Sequence, residues 1–268
     1  QYNLATSDGR TLVGLLASET RTSVELVDAE GKSQRVLREE IEELSASKRS
    51  LMPEGFEKQL GPQGLADLLA FLTQRGKYLP IDLKPVATVV TTRGMFFAPE
   101  SPIERLVFAD WSPKTFQGVP FQLVNPRGDT VPNAIMLHGP NGTQPPKMPR
   151  SVTLPCHGPA KVIHLLSGIS GWGATGPDAE PTVTMIVRIH YADGETEDHP
   201  LQNGIHFADY IRPIEVPGSK LAFRLRGQQL RYLAVRPKRD EPVATIELVK
   251  GNDDTAPVVM AVTIEGNE

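Results

Sequence analysis

From residue 86 to residue 264 the chain is interrupted so often by Gly and Pro that no helical repeat survives in it. What remains is a succession of short apolar runs at 86–91, 106–108, 119–124, 134–137, 151–154, 161–167, 182–190, 221–223, 230–235, 243–249 and 258–264. Each suits a strand, and their short lengths argue against helices. Proline contributes to this: 24 of the 268 residues are Pro, well above the usual ~5%. Strands in this number, joined by Gly- and Pro-rich turns, predict a mainly β fold with a β-sandwich over residues 86–268. Asp193-Gly194, at the end of the 182–190 run, marks a hairpin.

Charge narrows the function. Lys and Arg total 28 against 32 Asp and Glu, a net charge of −4. A mildly acidic chain with scattered charge argues against nucleic acid as a partner and against an anionic membrane surface. No run approaches the 18 or so apolar residues of a membrane span. Cys156 is the single cysteine, so one chain builds no disulfide, no CxxCH haem attachment and no cysteine-rich zinc site. Gln1 leads straight into a strand pattern, with no initiator Met and no signal peptide, and the sequence reads as a piece of something longer.

Residues 1–48 read as four or five short strands. Tyr2 to Thr6 alternates, Ser7-Asp8-Gly9-Arg10 turns, and an apolar run from Thr11 to Leu16 contains Gly14, where a strand can bend sharply. Val24 and Leu26 share one face of the next strand, and Ala29-Glu30-Gly31-Lys32 is the next turn. Arg38 to Leu44 is read as a last short strand, with a helical turn as the alternative. The pattern is that of a small SH3-like or Sm-like barrel, too small to bury much apolar surface alone.

Leu65, Leu68, Leu69 and Leu72 then fall at i, i+3, i+4 and i+7, one face of an amphipathic helix. Pro62 suits its first turn and Gly76 its C-terminal cap. Residues 77–85, with two prolines, read as a linker. Met52, in Ser50-Leu51-Met52-Pro53-Glu54-Gly55, precedes that helix. A methionine there is either a core plug or a thioether ligand to haem iron.

Thr6-Ser7-Asp8-Gly9-Arg10, Gly14-Leu15, Val24-Glu25-Leu26, Ile41, the Ser50–Gly55 segment and Leu65 to Leu72 together resemble one known pattern. It is the C-terminal half of the haem-binding, cytochrome c-like domain of the Pirellula/Verrucomicrobium type, which carries an inserted β unit. The resemblance covers roughly residues 1–75. It implies that Met52 is the axial ligand and that the following helix is the last cytochrome helix. The family's CxxCH is absent here. Haem c is therefore expected in a full-length protein that supplies the missing N-terminal cytochrome half, and not in this chain. The expected domains are 1–80, the β insert and cytochrome-like helix, and 86–268, the sandwich.

Gly118-Val119-Pro120-Phe121, Tyr191-Ala192-Asp193-Gly194-Glu195, Asp209-Tyr210 and the run 257–263 resemble a galactose-binding-like jelly roll. Such modules resemble carbohydrate-binding modules and are often appended to secreted planctomycete proteins. Sugar binding needs an exposed aromatic platform beside polar groups. Trp172, in the Gly-rich run Gly168 to Gly173, is the platform candidate, with Tyr191 and Asp193 as further ligand-binding candidates. The alternatives are a Trp172 tucked against the sandwich edge and a Tyr191 in the core. Trp111 reads as core or interface.

His190, His199 and His206 match no zinc spacing, and a structural Ca²⁺ on Asp and backbone carbonyls is compatible with this type of fold. Cys156-His157 is expected to be inert. No GxSxG, P-loop or paired-carboxylate signature occurs. The leading expectation is a non-catalytic fragment of an extracytoplasmic electron-transfer protein, carrying a sandwich that binds carbohydrate or a partner protein. A plain carbohydrate-binding or adhesion module is the alternative. A hydrolase with its acids scattered over loops is the third.

Overall fold

The structure, a computed structural model, describes residues 1–47, 61, 64, 76–171, 180–212 and 214–266. The chain divides into two compact units, Gln1–Gln74 and Arg75–Glu268. The helix expected after Met52, and Met52 itself, lie outside the described residues.

The first unit is an antiparallel sheet of β1 (Tyr2–Thr6), β2 (Thr11–Glu19), β3 (Ser23–Val27), β4 (Ser33–Leu37) and β5 (Ile41–Ala46), in the order β4-β3-β2-β1-β5. β2 serves two neighbours. Its first half pairs with β1, setting Leu12 opposite Leu4, and its second half pairs with β3, setting Leu16 opposite Leu26. Gly14 stands at the change of partner, where a Cβ would lie 2.6 Å from the Val27 carbonyl oxygen. Leu4, Val24, Leu26 and Val36 close a small core. Arg38–Glu40 is a 3-10 turn and the strand starts after it, at Ile41. Both readings of that stretch are thus realised, one after the other.

The second unit is a β-sandwich. One sheet holds β10 (Ser151–Gly158), β16 (Val243–Lys250), β12 (Val183–Tyr191) and β13 (Thr196–Gln202), in that spatial order. The other holds β14 (Lys220–Leu225), β15 (Gln228–Val235), β11 (Val162–Ser170), β17 (Ala256–Glu265) and β6 (Tyr78–Pro80), and β9 (Ile135–Met136) adds to β17. Leu154, Val187 and Ile246 of the first sheet meet Leu165, Leu233 and Val262 of the second in one core. The hairpin at Asp193-Gly194 forms as its sequence suggests, with Gly194 at φ +91°.

Two sequence expectations are corrected. Residues 77–85 are not a plain linker: β6 pairs with the end of β17, Leu79 opposite Ile264, and Ile81 and Leu83 are buried in the sandwich core. The runs at 86–91, 106–108, 119–124 and 134–137 form little sheet. They give the isolated bridge Val89–Ala134, the two-residue β9 and a short hairpin of β7 (Lys114–Phe116) with β8 (Val119–Phe121). Eleven prolines between Lys84 and Arg150 remove ladder donors and keep sheet formation here to these short pieces.

This stretch covers the outer face of the larger sheet, where Met95, Leu106, Phe121 and Met136 pack against Leu166, Leu230, Val258 and Met260. Side chains satisfy its backbone where ladders do not. Thr91 Oγ1 donates to the Leu106 carbonyl at 2.7 Å, and Asn133 Oδ1 accepts the Thr91 N–H at 2.8 Å. Thr88 Oγ1 bridges the N–H and C=O of Met136. Among the described residues no helix is long and apolar enough to cross a membrane.

Candidate ligand-binding cleft

β11 ends at Ser170, and Gly171 follows at φ +98°, a conformation that suits glycine. Phe96, Asp254 and Thr255 all approach the place a Cβ would take. Two depressions meet at this glycine. One, of about 150 Å³, is lined by Phe96, Phe97, Ile103 and Tyr210, with Glu104 and Asp209. The other is a polar groove of about 520 Å³ along Asn141, Thr182, Asn203 and the run 252–255.

The apolar side is built by one buried carboxylate. Glu104 accepts the N–H groups of Phe96 and Phe97 at 3.2 and 2.9 Å. This pins a bend that leaves Phe97 57% exposed and stands the Phe96 ring edge-on to the Phe97 ring, centroids 4.5 Å apart. Ile103, 58% exposed, forms another part of the rim. Tyr210 donates its hydroxyl to the Glu104 carbonyl at 3.3 Å, and burial pushes its phenol well above the usual range. Asp209 Oδ1 accepts the Ile211 N–H at 2.9 Å. Both acids lining this side therefore serve as struts for the backbone.

The polar side rests on a buried ion pair. Lys250 Nζ lies 2.6 Å from Asp253 Oδ1. The remaining capacity of Asp253 is taken by Thr255 Oγ1 at 2.9 Å, Thr184 Oγ1 at 2.6 Å and Thr182 Oγ1 at 3.2 Å. Beside this network Asn203 is 2% exposed, and among the described residues its Nδ2 has no hydrogen-bond partner. The groove thus offers amide, hydroxyl and carboxylate groups, and at Gly171 it meets the depression lined by Phe97.

Of the sequence candidates, Trp172 lies outside the described residues, directly after Gly171. Tyr191 is a core residue, 2% exposed, and its hydroxyl donates to Glu197. Burial and the Glu197 carboxylate raise its phenol to about 12. Asp193 sits in the hairpin turn, where Oδ1 accepts the Glu195 N–H and Oδ2 meets Arg239 at 2.5 Å. The Arg239 guanidinium lies over the Tyr191 ring, 4.6 Å from its centroid. The structure brings Tyr191 and Asp193 together through Arg239, and neither lines the cleft at Gly171. Trp111 packs edge-on against Phe108.

The histidines are distributed among separate acids. His190 faces Glu247 at 3.3 Å, His199 faces Glu197 at 2.5 Å, and His206 accepts the Gln202 N–H through Nδ1 at 3.0 Å. Among the described residues no three His, Cys, Asp or Glu side chains form a group able to hold a metal ion. Cys156 is buried.

Sequence reasoning missed Phe97, Glu104, Asn203 and Asp253. The Phe96-Phe97 pair between Gly94 and Pro99 was an available signal, since two adjacent rings on a tight bend rarely both face inward. The joining of residues 96–104, 171, 209–211 and 252–255 into one site had no sequence signal. No family model, curated protein or solved structure matches this chain.

Proposed function

We propose that the chain is a non-catalytic fragment of a secreted multidomain protein whose second unit is a carbohydrate-binding β-sandwich, with the ligand seated at Gly171. The observation that carries this reading is Phe97, exposed, with its N–H held by Glu104, in a depression that meets the groove of Asn203, Thr182 and Asp254 at Gly171. A sugar presents an apolar ring face to such a platform and its hydroxyls to such a groove. The fixed bend limits the ordering cost of binding. The strand plan supports a galactose-binding-like jelly roll: β10 to β17 supply two sheets of four interleaved strands, with β6 beside β17. The engagement of Glu104 and Asp209 by backbone N–H groups supports a binding role over a hydrolytic one.

For the first unit the proposal rests on the motif around Met52. Residues 1–74 contain no histidine and no cysteine, so the residues present do not by themselves fit a haem. The proposal is that Met52 ligates iron in a full-length electron-transfer protein that supplies the attachment cysteines and histidine. Its check is the absorption spectrum of that protein with and without Met52→Ala.

The sandwich is tested by titrating a panel of neutral oligosaccharides. At least one should bind, and Phe97→Ala should weaken it about tenfold through lost ring stacking. Binding that ignores Phe97→Ala would move the site elsewhere. Turnover of the oligosaccharide would replace the binding reading with the hydrolase one.

A further inference from the structure

A different pocket, of about 330 Å³, opens between the 107–114 segment and the β14–β15 hairpin. Its floor is aromatic. Phe108 and Phe223 meet edge-on with centroids 5.4 Å apart, and Leu225 lies buried beside them. Its rim is cationic, carrying Lys114, Arg224 and Arg226 against one acid, Asp110. Asp110 is already engaged: Lys114 Nζ lies 2.6 Å from its Oδ1, and Lys114 and Ser112 hold its carboxyl down to about 2. Lys114 Nζ also sits 5.8 Å from the Phe108 ring centroid.

Arg224 and Arg226 differ in pairing from Arg188 and Arg239. Arg188 is paired with Asp198 and Arg239 with Asp193. Among the described residues neither Arg224 nor Arg226 has an acidic partner. Arg226 is held at the tip of the hairpin at φ +51°, before Gly227 at φ +96°, in the tight turn between Leu225 and Gln228. That backbone region disfavours Arg and suits Asn or Gly. An Arg is thus kept, at some conformational cost, on the rim of a pocket that Arg224, Phe108 and Phe223 also line.

We propose that this pocket is a second ligand site that accepts one ring of an acidic sugar. The sugar carboxylate lies on the Arg224–Arg226 rim, and the apolar face of its ring lies on Phe223, which the buried Phe108 backs edge-on. Guanidinium groups match a carboxylate by paired hydrogen bonds. The volume stands near the lower end for ligand pockets, which suits a single ring. An acidic peptide side chain has no flat face with which to cover the phenyl floor. The site is independent of the cleft at Gly171.

The test is calorimetric titration of the whole chain with oligogalacturonate, its methyl ester and polyglutamate. Oligogalacturonate should bind, more weakly as salt is raised, and the neutral ester should not. Arg226→Asn should weaken binding about tenfold, and the double variant Arg224→Gln/Arg226→Asn by more. Asn suits the turn, so an unchanged or higher melting temperature separates loss of charge from loss of fold. Phe97→Ala should leave oligogalacturonate binding intact, even if it abolishes binding of neutral sugars. Equal binding of the ester, equal binding of polyglutamate, insensitivity to Arg226→Asn, loss through Phe97→Ala, or no binding by the wild type would each overturn the proposal.

Discussion

Along β12 the residues alternate between buried and half-exposed, and along β13 exposed and half-exposed positions predominate. β11 is buried along its whole length, as is β17 up to Glu265. Both sheets contribute to the same core. They differ on the outside, where the smaller sheet meets water and the larger one is covered by the proline-rich 84–150 stretch. The polar contacts divide in the same way. On the wet face Arg188 grips Asp198 through two bonds of 2.7 and 2.9 Å, with both side chains more than a third exposed. On the covered face His164 joins Tyr232 at 2.8 Å and Glu265 at 3.1 Å while being 4% exposed. One kind of contact is made in two media, and its contribution should follow the medium.

The largest difference should come from removing apolar volume on the covered side. Leu166→Ala should cost ~2–5 kcal/mol, because Leu166 fills the second core and a cavity there cannot fill with solvent. Urea denaturation measures it, and a loss below ~1 kcal/mol would show that the covering stretch is not packed as described. Next is Tyr232→Phe, which leaves the His164 Nδ1 without its partner and should cost ~1–3 kcal/mol. Thermal unfolding of that variant should shift accordingly, whereas removing a single wet-face contact should shift it little.

The third prediction concerns pH. Burial lowers the His164 pKa below its ordinary value of 6.5, against a smaller raising effect of Glu265. The unfolded chain then binds a proton that the folded one resists, so stability is complete above the ordinary pKa and falls as pH drops toward the lowered value. Burial lowers His206 in the same direction. The signal is therefore the difference between wild type and His164→Gln in melting temperature between neutral pH and mildly acidic pH. A wild type that gains stability on acidification relative to the variant would reverse the assignment. The smallest effect is expected at Arg188→Ala on the wet face, ~0–1 kcal/mol and weaker still at high salt. A larger loss there would mean that the two faces are less different than their exposure indicates.

The same comparison explains what the sequence disclosed. Thr182 to His190 was readable as a strand, and Asp193-Gly194 marked its turn. β11 and β17 were readable as apolar runs, but not as a sheet buried on both sides, since that depends on what covers them. The covering stretch itself misled: 86–91 and 106–108 are apolar because they lie on a core, not because they pair. Tyr191 and Asp193 were close in sequence and are linked by Arg239, from 46 residues further on. The cleft at Gly171 draws on segments scattered from Phe96 to Thr255, and no local pattern records that Glu104 accepts the Phe97 N–H. Gly14 was legible because its reason, a strand changing partners, is local.

β6 has a consequence for how the chain is made. Leu79 pairs with Ile264, so the strand that enters the sandwich first waits on the ribosome for a neighbour that emerges last. Until then the edge of β11 that receives β17 is open, and Ile81 and Leu83 lack their final packing. Contacts of such long sequence separation form slowly. The larger sheet should therefore stay open until β17 has been made, whatever else of the unit has folded.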